Sequence, residues 1–326
     1  MNKILITGGG GYVGSMLAKY LANKNYNVTV LDLMMYEPQL FENDEKIKVI
    51  KGDIRDQNLL KKILPSHRIV IHLACISNDP SFELNPSLGK SINLDSFEPL
   101  VKISRDVNVE KFIYASSSSV YGISKEKNVT EDLDLKPLTD YSKYKALCEK
   151  ILFKYSTGNF CTTVIRPATV CGYSIRQRLD VVVNILTNLA FNKNEITVYG
   201  GDQLRPNIHI DDMIRSYELM ITCEVKSINK KVYNIGFDNF PVIEIANKVK
   251  TIIGKNVDLN LVPTNDIRSY HISSKKIKDE LGFTPLKNID DAIVDLKNAF
   301  ENGLLPNSLN DAKYFNIETM KKIKLK

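Results

Sequence analysis

The sequence predicts an α/β protein with a doubly wound parallel Rossmann sheet and a smaller C-terminal α/β lobe. Short runs of apolar and β-branched residues alternate with helix-like stretches through the first half of the chain. Such alternation is typical of a parallel sheet covered by helices on both faces. A glycine-rich turn follows the first of these runs and opens the first helix-like stretch. That order of strand, turn and helix is how many doubly wound sheets begin.

The predicted strands and helices can be placed in order along the chain. The strand-like runs are "KILIT", "NVTVLD", "IKVIKGD", "RIVIHLA", "KFIYASS" and "CTTVIRPA", and helix-like stretches such as "GSMLAKYLANK" and "SFEPLVKISRDVN" separate most of them. From about residue 170 the alternation weakens, and "RLDVVVNILTNLAFN", "VIEIANKVKTIIG" and "DDAIVDLKNAFENG" read as helices. We therefore expect a Rossmann domain over residues 1–169, to which 207–237 return with the strand "KKVYNIG", and a second lobe over 170–206 and 238–326.

Composition excludes several classes of protein. The 326 residues are 43% apolar and 25% charged with a net charge of +6, which is ordinary for a globular chain. Basic residues concentrate only in "MKKIKLK", which we expect to be a solvated end, so no nucleic-acid partner is predicted. No apolar run approaches the roughly 20 residues of a membrane span, and the N-terminus does not resemble a signal peptide. Five scattered cysteines without a CxxC motif indicate reduced thiols in a cytoplasmic protein, and no metal site.

The glycine-rich turn predicts a phosphate site. Gly8, Gly11 and Gly14 in "TGGGGYVGS" fit the spacing G-x-x-G-x-x-G between a strand and a helix. Glycines there allow a pyrophosphate to approach the backbone N–H groups at the helix N-terminus. The first helix is followed by a second strand, which ends at Asp32, about 20 residues after the glycine turn. A carboxylate at that position accepts hydrogen bonds from an adenosine ribose. Because that carboxylate would repel a 2′-phosphate, the sequence favours NAD over NADP.

A second motif lies in "PLTDYSKYKALCEK". Tyr141 and Lys145 are four residues apart at the start of a predicted helix that Thr139 or Asp140 would cap. Positions four apart lie on the same face of a helix, so the phenol and the ammonium can point into one place.

Six features follow one another in a family-specific order. The glycine turn, Asp32, "GDIRD", "HLAC", "SSSSVYG" and "YSKYK" together resemble the extended short-chain dehydrogenase/reductase family. Within it the chain is similar to the nucleotide-sugar epimerases and dehydratases. Essentially the whole chain is covered, because "RPNIHIDD" and "DIRSYHISSKKIKDELGFTP" also resemble segments of that family. The resemblance implies NAD as cofactor, a nucleotide-diphosphate sugar as substrate, and a homodimer.

The resemblance also assigns roles to individual residues. Those implied to bind or support the cofactor are Gly8, Gly11, Tyr12, Val13, Gly14, Asp32, Asp53, Ile54, Leu73, Ala74, Asn93, Tyr141 and Lys145. Those implied to contact the nucleotide sugar are Ser117, Asn184, Arg205 and Arg268, and an arginine fork suits a diphosphate because it binds phosphate oxygens in pairs. Arg176 and Arg178 lie in a stretch that differs from the usual members. They are either surface cations or contacts to a phosphate or a carboxylate of an unusual sugar.

Ser117, Tyr141 and Lys145 are the implied catalytic residues. A tyrosine with an ordinary pKa of about 10 is a poor base at neutral pH, but a nearby ammonium and the positive nicotinamide favour its phenolate. Tyr141 could then take the proton of a sugar hydroxyl while hydride leaves the same carbon. Ser117 would hydrogen-bond that hydroxyl. The implied chemistry is reversible oxidation of an alcohol to a ketone.

The residues after Ser117 narrow the choice of reaction. In the 4,6-dehydratases an Asp and a Glu follow the catalytic residue and drive loss of water, whereas here Ser118 and Ser119 follow it. The minimal catalytic set favours an NAD-dependent 4-epimerase that works through a 4-keto intermediate. A C4 dehydrogenase or reductase needs the same residues and stays open, particularly since Thr169 replaces an Asn usual in the epimerases. A non-catalytic dinucleotide sensor is a further alternative, although such proteins typically lose the Tyr or the Lys. The sugar and its nucleotide cannot be read from the sequence.

Overall fold

The computed structural model describes residues 3–254, 256–265 and 269–325, and in this part of the chain seven parallel strands form the central sheet. Its strands are β1 (Lys3–Thr7), β2 (Asn27–Asp32), β3 (Ile47–Lys51), β4 (Ile69–His72), β5 (Lys111–Ala115), β6 (Cys161–Pro167) and β10 (Lys231–Ile235). Their order across the sheet is β10-β6-β5-β4-β1-β2-β3. The predicted doubly wound sheet is confirmed, and the late strand "KKVYNIG" joins it beside β6 as expected.

The remaining strands belong to two small sheets. Strands β7 (Thr169–Cys171), β9 (Leu204–His209) and β11 (Asp238–Pro241) form one, and β8 (Glu195–Tyr199) and β12 (Asp258–Val262) form the other. The α-helices are α1 (Tyr12–Asn23), α2 (Gln57–Ile63), α3 (Asp79–Glu83), α4 (Pro86–Lys90), α5 (Phe97–Asp106), α6 (Asp140–Tyr155), α7 (Val182–Lys193), α8 (Ile210–Thr222), α9 (Val225–Ile228), α10 (Val242–Ile253), α11 (Lys275–Leu281), α12 (Ile289–Glu301) and α13 (Asn316–Ile323).

Alternate residues of the strands bury opposite faces of the central sheet. Ile4 and Ile6 of β1 pack in a core with α1 and α8, whereas Leu5 packs in a second core with α2, α5 and α6. Because side chains alternate across a strand, a strand buried on both faces reads as a continuous apolar run. This is why the runs in the sequence predict these strands so directly.

One reversal of the strand order determines where the site lies. After β3 the chain crosses to the other side of β1 and enters β4, so the strand order changes direction between β1 and β4. Ligands of open α/β sheets bind outside the carboxyl ends of the strands at such a point. Gly8 lies in this crevice with a φ of +75°, and a Cβ there would come 2.5 Å from the backbone nitrogen of Ala74. Only glycine fits, because both the dihedral angle and the space exclude a side chain.

Helix α6 carries the Tyr–Lys motif and begins as the sequence predicts. Thr139 is its N-cap and forms a capping box with Ser142, which satisfies N–H groups that would otherwise lack partners. Leu152 and Cys148 are buried against α5 and the sheet. This packing anchors the helix, and it leaves Tyr141 and Lys145 at the end near the carboxyl ends of the strands.

A separate hydrophobic core lies where α7, α10 and α12 pack on the small sheets. Among the described residues, no helix combines the length and the apolar character that crossing a bilayer requires.

Candidate active site

A cavity of about 510 Å³ opens at the carboxyl ends of the central strands. The predicted site residues that line it are Gly8, Gly11, Tyr12, Val13, Gly14, Asp32, Asp53, Ile54, Leu73, Ala74, Ser117, Tyr141, Lys145, Arg178 and Arg205. They come from segments as far apart as residues 8 and 205. Those that follow β1, β2 and β5 come together because the parallel strands all end at this edge, and Arg205 reaches the cavity from β9 of a separate small sheet.

The glycine turn leaves the N-terminus of α1 free for an anion. Gly11 is the N-cap and offers no side chain to the first N–H groups, and the first turn carries no acidic residue. A Cβ at Gly14 would lie 2.3 Å from the carbonyl oxygen of Gly8, so the helix packs against the turn as closely as backbone allows. Free N–H groups together with the helix dipole form an anion site. These residues fit the diphosphate of NAD.

Asp32 stands beside this turn at the end of β2. Its carboxylate accepts hydrogen bonds from the backbone N–H of Gly10 at 3.0 Å and of Met34 at 2.7 Å. Burial raises the pKa of Asp32, and these two N–H groups oppose that effect. The carboxylate is therefore held in place next to the glycine turn, as an acceptor for ribose hydroxyls requires.

Ser117, Tyr141 and Lys145 line the same cavity as this turn. The Lys145 Nζ lies 5.8 Å from the centroid of the Tyr141 ring and donates a 2.6 Å hydrogen bond to the carbonyl oxygen of Ala115. Ser117 follows the end of β5, and its Oγ accepts from the backbone N–H of Ser119 and lies 2.8 Å from the Ser119 Oγ. Lys145 thus ties the motif helix to the strand that presents Ser117.

Electrostatics at Tyr141 differ from the sequence prediction. Burial raises the pKa of the Tyr141 phenol, and Lys145 lowers it without overcoming burial, so the pKa lies above its ordinary value. Burial lowers the pKa of Lys145, but Cys75 and Tyr141 outweigh that effect and its pKa is raised, so it stays an ammonium. The positive nicotinamide of NAD⁺, when bound, would lower the pKa of Tyr141 as Lys145 does.

Two predicted residues in the described part of the chain, Asn93 and Asn184, do not line the cavity. Asn93 is buried in a turn of π-helix, where its amide pairs with both backbone groups of Ile76, so it supports the wall behind the cofactor site. Asn184 is fully buried, and its amide bonds the Tyr12 hydroxyl and the backbone at Gly172 and Arg178. The predicted contact at Arg268 lies outside the described residues.

Other residues reach the cavity that sequence reasoning did not assign to it. Tyr36, Ser77, Asn316, Met320 and Leu325 line it. Arg176 and Arg178 also line it and are buried, so they are not surface cations. Asn316 and Met320 belong to α13, next to the basic tail expected to be solvated. Lys321, Lys322 and Lys324 of that tail are exposed, but Met320 is buried. A single apolar residue in a basic segment carries no sequence signal for such a role.

Comparison with known proteins identifies the family. A family model described as the NAD dependent epimerase/dehydratase family matches residues 4–236. The UDP-glucose 4-epimerase of Lactobacillus helveticus is 28% identical over 313 residues, covering 89% of this chain and 94% of its own. The dTDP-D-glucose 4,6-dehydratase of Dictyostelium discoideum is 30% identical over 275 residues, which cover 77% of this chain and 62% of that protein.

Solved structures show the same fold. The UDP-glucose 4-epimerase of Thermotoga maritima with UDP-glucose superposes with a TM-score of 0.84 at 24% identity, covering 93% of this chain and 99% of its own. MoeE5 in complex with UDP-glucuronic acid and NAD superposes with a TM-score of 0.80 at 25% identity, covering 92% of this chain and 99% of its own. The chain therefore belongs to the NAD dependent epimerase/dehydratase family, and it is an NAD-dependent enzyme.

Proposed function

We propose that this enzyme is a nucleotide-sugar 4-epimerase that works through a transient 4-keto intermediate. The observation that carries the proposal is the chemistry of the cavity wall: Ser117, Tyr141 and Lys145 line it, and no carboxylate stands free beside them among the described residues. Such a set can remove and return one hydroxyl proton, but it lacks the extra acid and base that elimination of water requires.

Each of the four carboxylates that line the cavity in the described chain is already engaged. Asp32 holds two backbone N–H groups and Asp53 pairs with Arg55. Asp79 accepts a hydrogen bond from the Thr139 hydroxyl, and Asp180 pairs with Arg178. The residues after Ser117 are Ser118 and Ser119, so the acidic pair of the dehydratases is absent from those positions.

The side chains divide the proton chemistry between them. The Tyr141 Oη removes the proton of the sugar C4 hydroxyl and later returns it, while the Lys145 ammonium stabilises the phenolate between these events. Ser117 donates a hydrogen bond to the C4 oxygen, which polarises the ketone. NAD, which the glycine turn and Asp32 would hold, would supply the acceptor and donor of the C4 hydride.

The nucleotide diphosphate is assigned to the second lobe. Residues 170–206 and 238–326 form this lobe in our proposal, and residues 1–169 with 207–237 form the NAD domain. Arg205 lines the cavity from β9 with its guanidinium 5.8 Å from the Tyr270 ring centroid. Arg178 lines it beside Tyr141 and donates to the Ser77 hydroxyl at 3.0 Å. Both fit the phosphates or an acidic substituent of the sugar substrate.

The alternative activity is a C4 dehydrogenase or reductase, which would exchange its cofactor in every cycle. The C-terminal segment favours the epimerase, because Asn316, Met320 and Leu325 line the cavity and Asn316 is bonded to its wall. The Asn316 N–H donates to Asp180 at 3.0 Å, and its side-chain amide donates to Ser77 at 3.1 Å. A cofactor enclosed in this way is suited to stay bound through turnover.

The test is to incubate the purified enzyme with nucleotide sugars without added cofactor and to follow C4 by NMR. We expect inversion at C4 with one of them, and a loss of about 100- to 10,000-fold in Tyr141→Phe. Tyr144→Phe is the matched control, because Tyr144 lies on the same helix and its ring packs on Phe82 at 5.6 Å. Net ketone formation that consumes stoichiometric NAD, with no inversion, would establish the dehydrogenase instead.

A further inference from the structure

Arg176 is a buried cation that the proposed chemistry does not use. Its residue is 2% exposed, and its guanidinium lies 3.4 Å from the centroid of the Tyr36 ring. Its Nη2 donates a 2.8 Å hydrogen bond to the side-chain oxygen of Asn316, while its Nε is buried without a hydrogen-bond partner. Stacking and one neutral acceptor hold the group, but they do not neutralise it.

Two other buried arginines near the cavity differ from it. Arg166 pairs with Glu149, and Arg178 pairs with Asp180. Arg176 has no ion pair with a carboxylate in the described part of the chain. Burying an unpaired charge is costly, so buried cations normally have a counterion. Burial lowers the pKa of Arg176 to about 10, which still leaves it charged at neutral pH.

The position of Arg176 indicates which anion it faces. It lines the cavity together with the glycine turn. Its charge acts on Asp32, the last residue of β2, on Tyr36, which follows that strand, and on Tyr12, the first residue of α1. It therefore stands close to both the predicted ribose acceptor and the anion site at the N-terminus of α1.

We propose that Arg176 binds the diphosphate of NAD from the second lobe, opposite the N-terminus of α1. A helix N-terminus supplies roughly half a positive charge, which is too little to neutralise the negative charge of a diphosphate. A guanidinium completes the neutralisation and gains the counterion that it lacks within the protein. Tyr36 and Asn316 are then positioning residues, which hold the guanidinium in place for the cofactor.

The experiment measures cofactor binding without any sugar, so its outcome is independent of the epimerase proposal. Bound NAD is exchanged against isotope-labelled NAD in the wild type, Arg176→Met and Arg176→Lys. Methionine keeps the apolar stem but removes the charge, and we expect its exchange to be about 10- to 100-fold faster. Lysine keeps the positive charge but lacks the paired donors of a guanidinium, so the exchange rate of Arg176→Lys should lie between those of the wild type and Arg176→Met.

Fragments of the cofactor identify the group that Arg176 contacts. With protein freed of NAD, ADP should bind Arg176→Met at least about 10-fold more weakly than the wild type, whereas adenosine should bind both within about threefold. The melting temperature of the NAD-free variant should equal or exceed that of the wild type, because the buried unpaired charge is gone.

Three results would overturn the proposal. The first is an ADP affinity of Arg176→Met equal to that of the wild type. The second is an equal loss of ADP and adenosine binding together with a lower melting temperature, which would make the residue structural. The third is a wild-type affinity for NADP that Arg176→Met selectively abolishes, which would assign the guanidinium to a 2′-phosphate.

Discussion

Arg166 and Glu149 form a buried, bidentate salt bridge next to the strand end that presents Ser117. The Arg166 Nε and Nη2 lie 3.0 and 2.7 Å from the two carboxylate oxygens of Glu149. The hydroxyl of Ser116 donates to the same carboxylate at 2.5 Å, and Arg166 also donates to the Tyr121 hydroxyl at 2.7 Å. Since Glu149 is on α6 and Ser116 precedes Ser117, this cluster holds the serine and the Tyr–Lys helix in register.

Removing one partner of this salt bridge should be strongly destabilising. Arg166→Met leaves the Glu149 carboxylate buried without its cation, and we expect a loss of about 3–5 kcal/mol in the free energy of unfolding. Urea denaturation measures it. The control is Arg105→Met, which breaks an exposed pair with Asp106 and should cost less than about 1 kcal/mol. Similar losses for both variants would contradict a buried, interdependent cluster.

The pH dependence of activity should follow the proton on Tyr141. The phenol must lose its proton to act as a base, so kcat/KM should rise with pH through the pKa of Tyr141. Because Lys145 lowers that pKa, Lys145→Met should move the rising limb to higher pH as well as reduce the rate. Lys143→Met is the control, since Lys143 is exposed on the same helix and pairs with Asp140. A limb that does not move in Lys145→Met would refute this electrostatic role.

Asp32 should set the preference for NAD over NADP. Asp32→Ala removes the proposed acceptor for the ribose hydroxyls and the charge that repels a 2′-phosphate. We expect NAD to bind about 10- to 100-fold more weakly and NADP to bind as well as or better than before. Equilibrium binding of both cofactors to the NAD-free protein measures this ratio. A wild type that binds NADP more tightly than NAD would invalidate the assignment.

The faces of α5 and α6 are predicted to form a homodimer contact. Leu147 on α6 is 43% exposed, although it is a large apolar side chain. Leu147→Arg should therefore convert a dimer to a monomer, because a charge cannot be buried there without a partner. Leu286→Arg is the control, as Leu286 is 72% exposed in another part of the chain. Light scattering at micromolar concentration reports the mass, and a monomeric wild type would rule out the dimer.

The sequence by itself determined the features that depend on neighbours along the chain. The strands of the central sheet are continuous apolar runs, and the glycine turn lies between one such run and a helix. Tyr141 and Lys145 share a helix face because 3.6 residues make one turn. The spacing after the glycine turn adds Asp32 and the resemblance adds Ser117, and both line the cavity with them. Local geometry and the common edge of a parallel sheet suffice for all of these.

Only the tertiary structure decided which distant residues complete the site. Arg176 stacks on Tyr36, which is 140 positions away along the chain, and Asn316 of the C-terminal segment joins them. Asn184 turns its amide to Tyr12 and the backbone, although the resemblance assigns it to the sugar. Hydrophobic periodicity tells which face of a helix is buried, but not against which segment it packs. Burial and long-range pairing therefore decide whether a polar side chain faces a ligand or supports the protein.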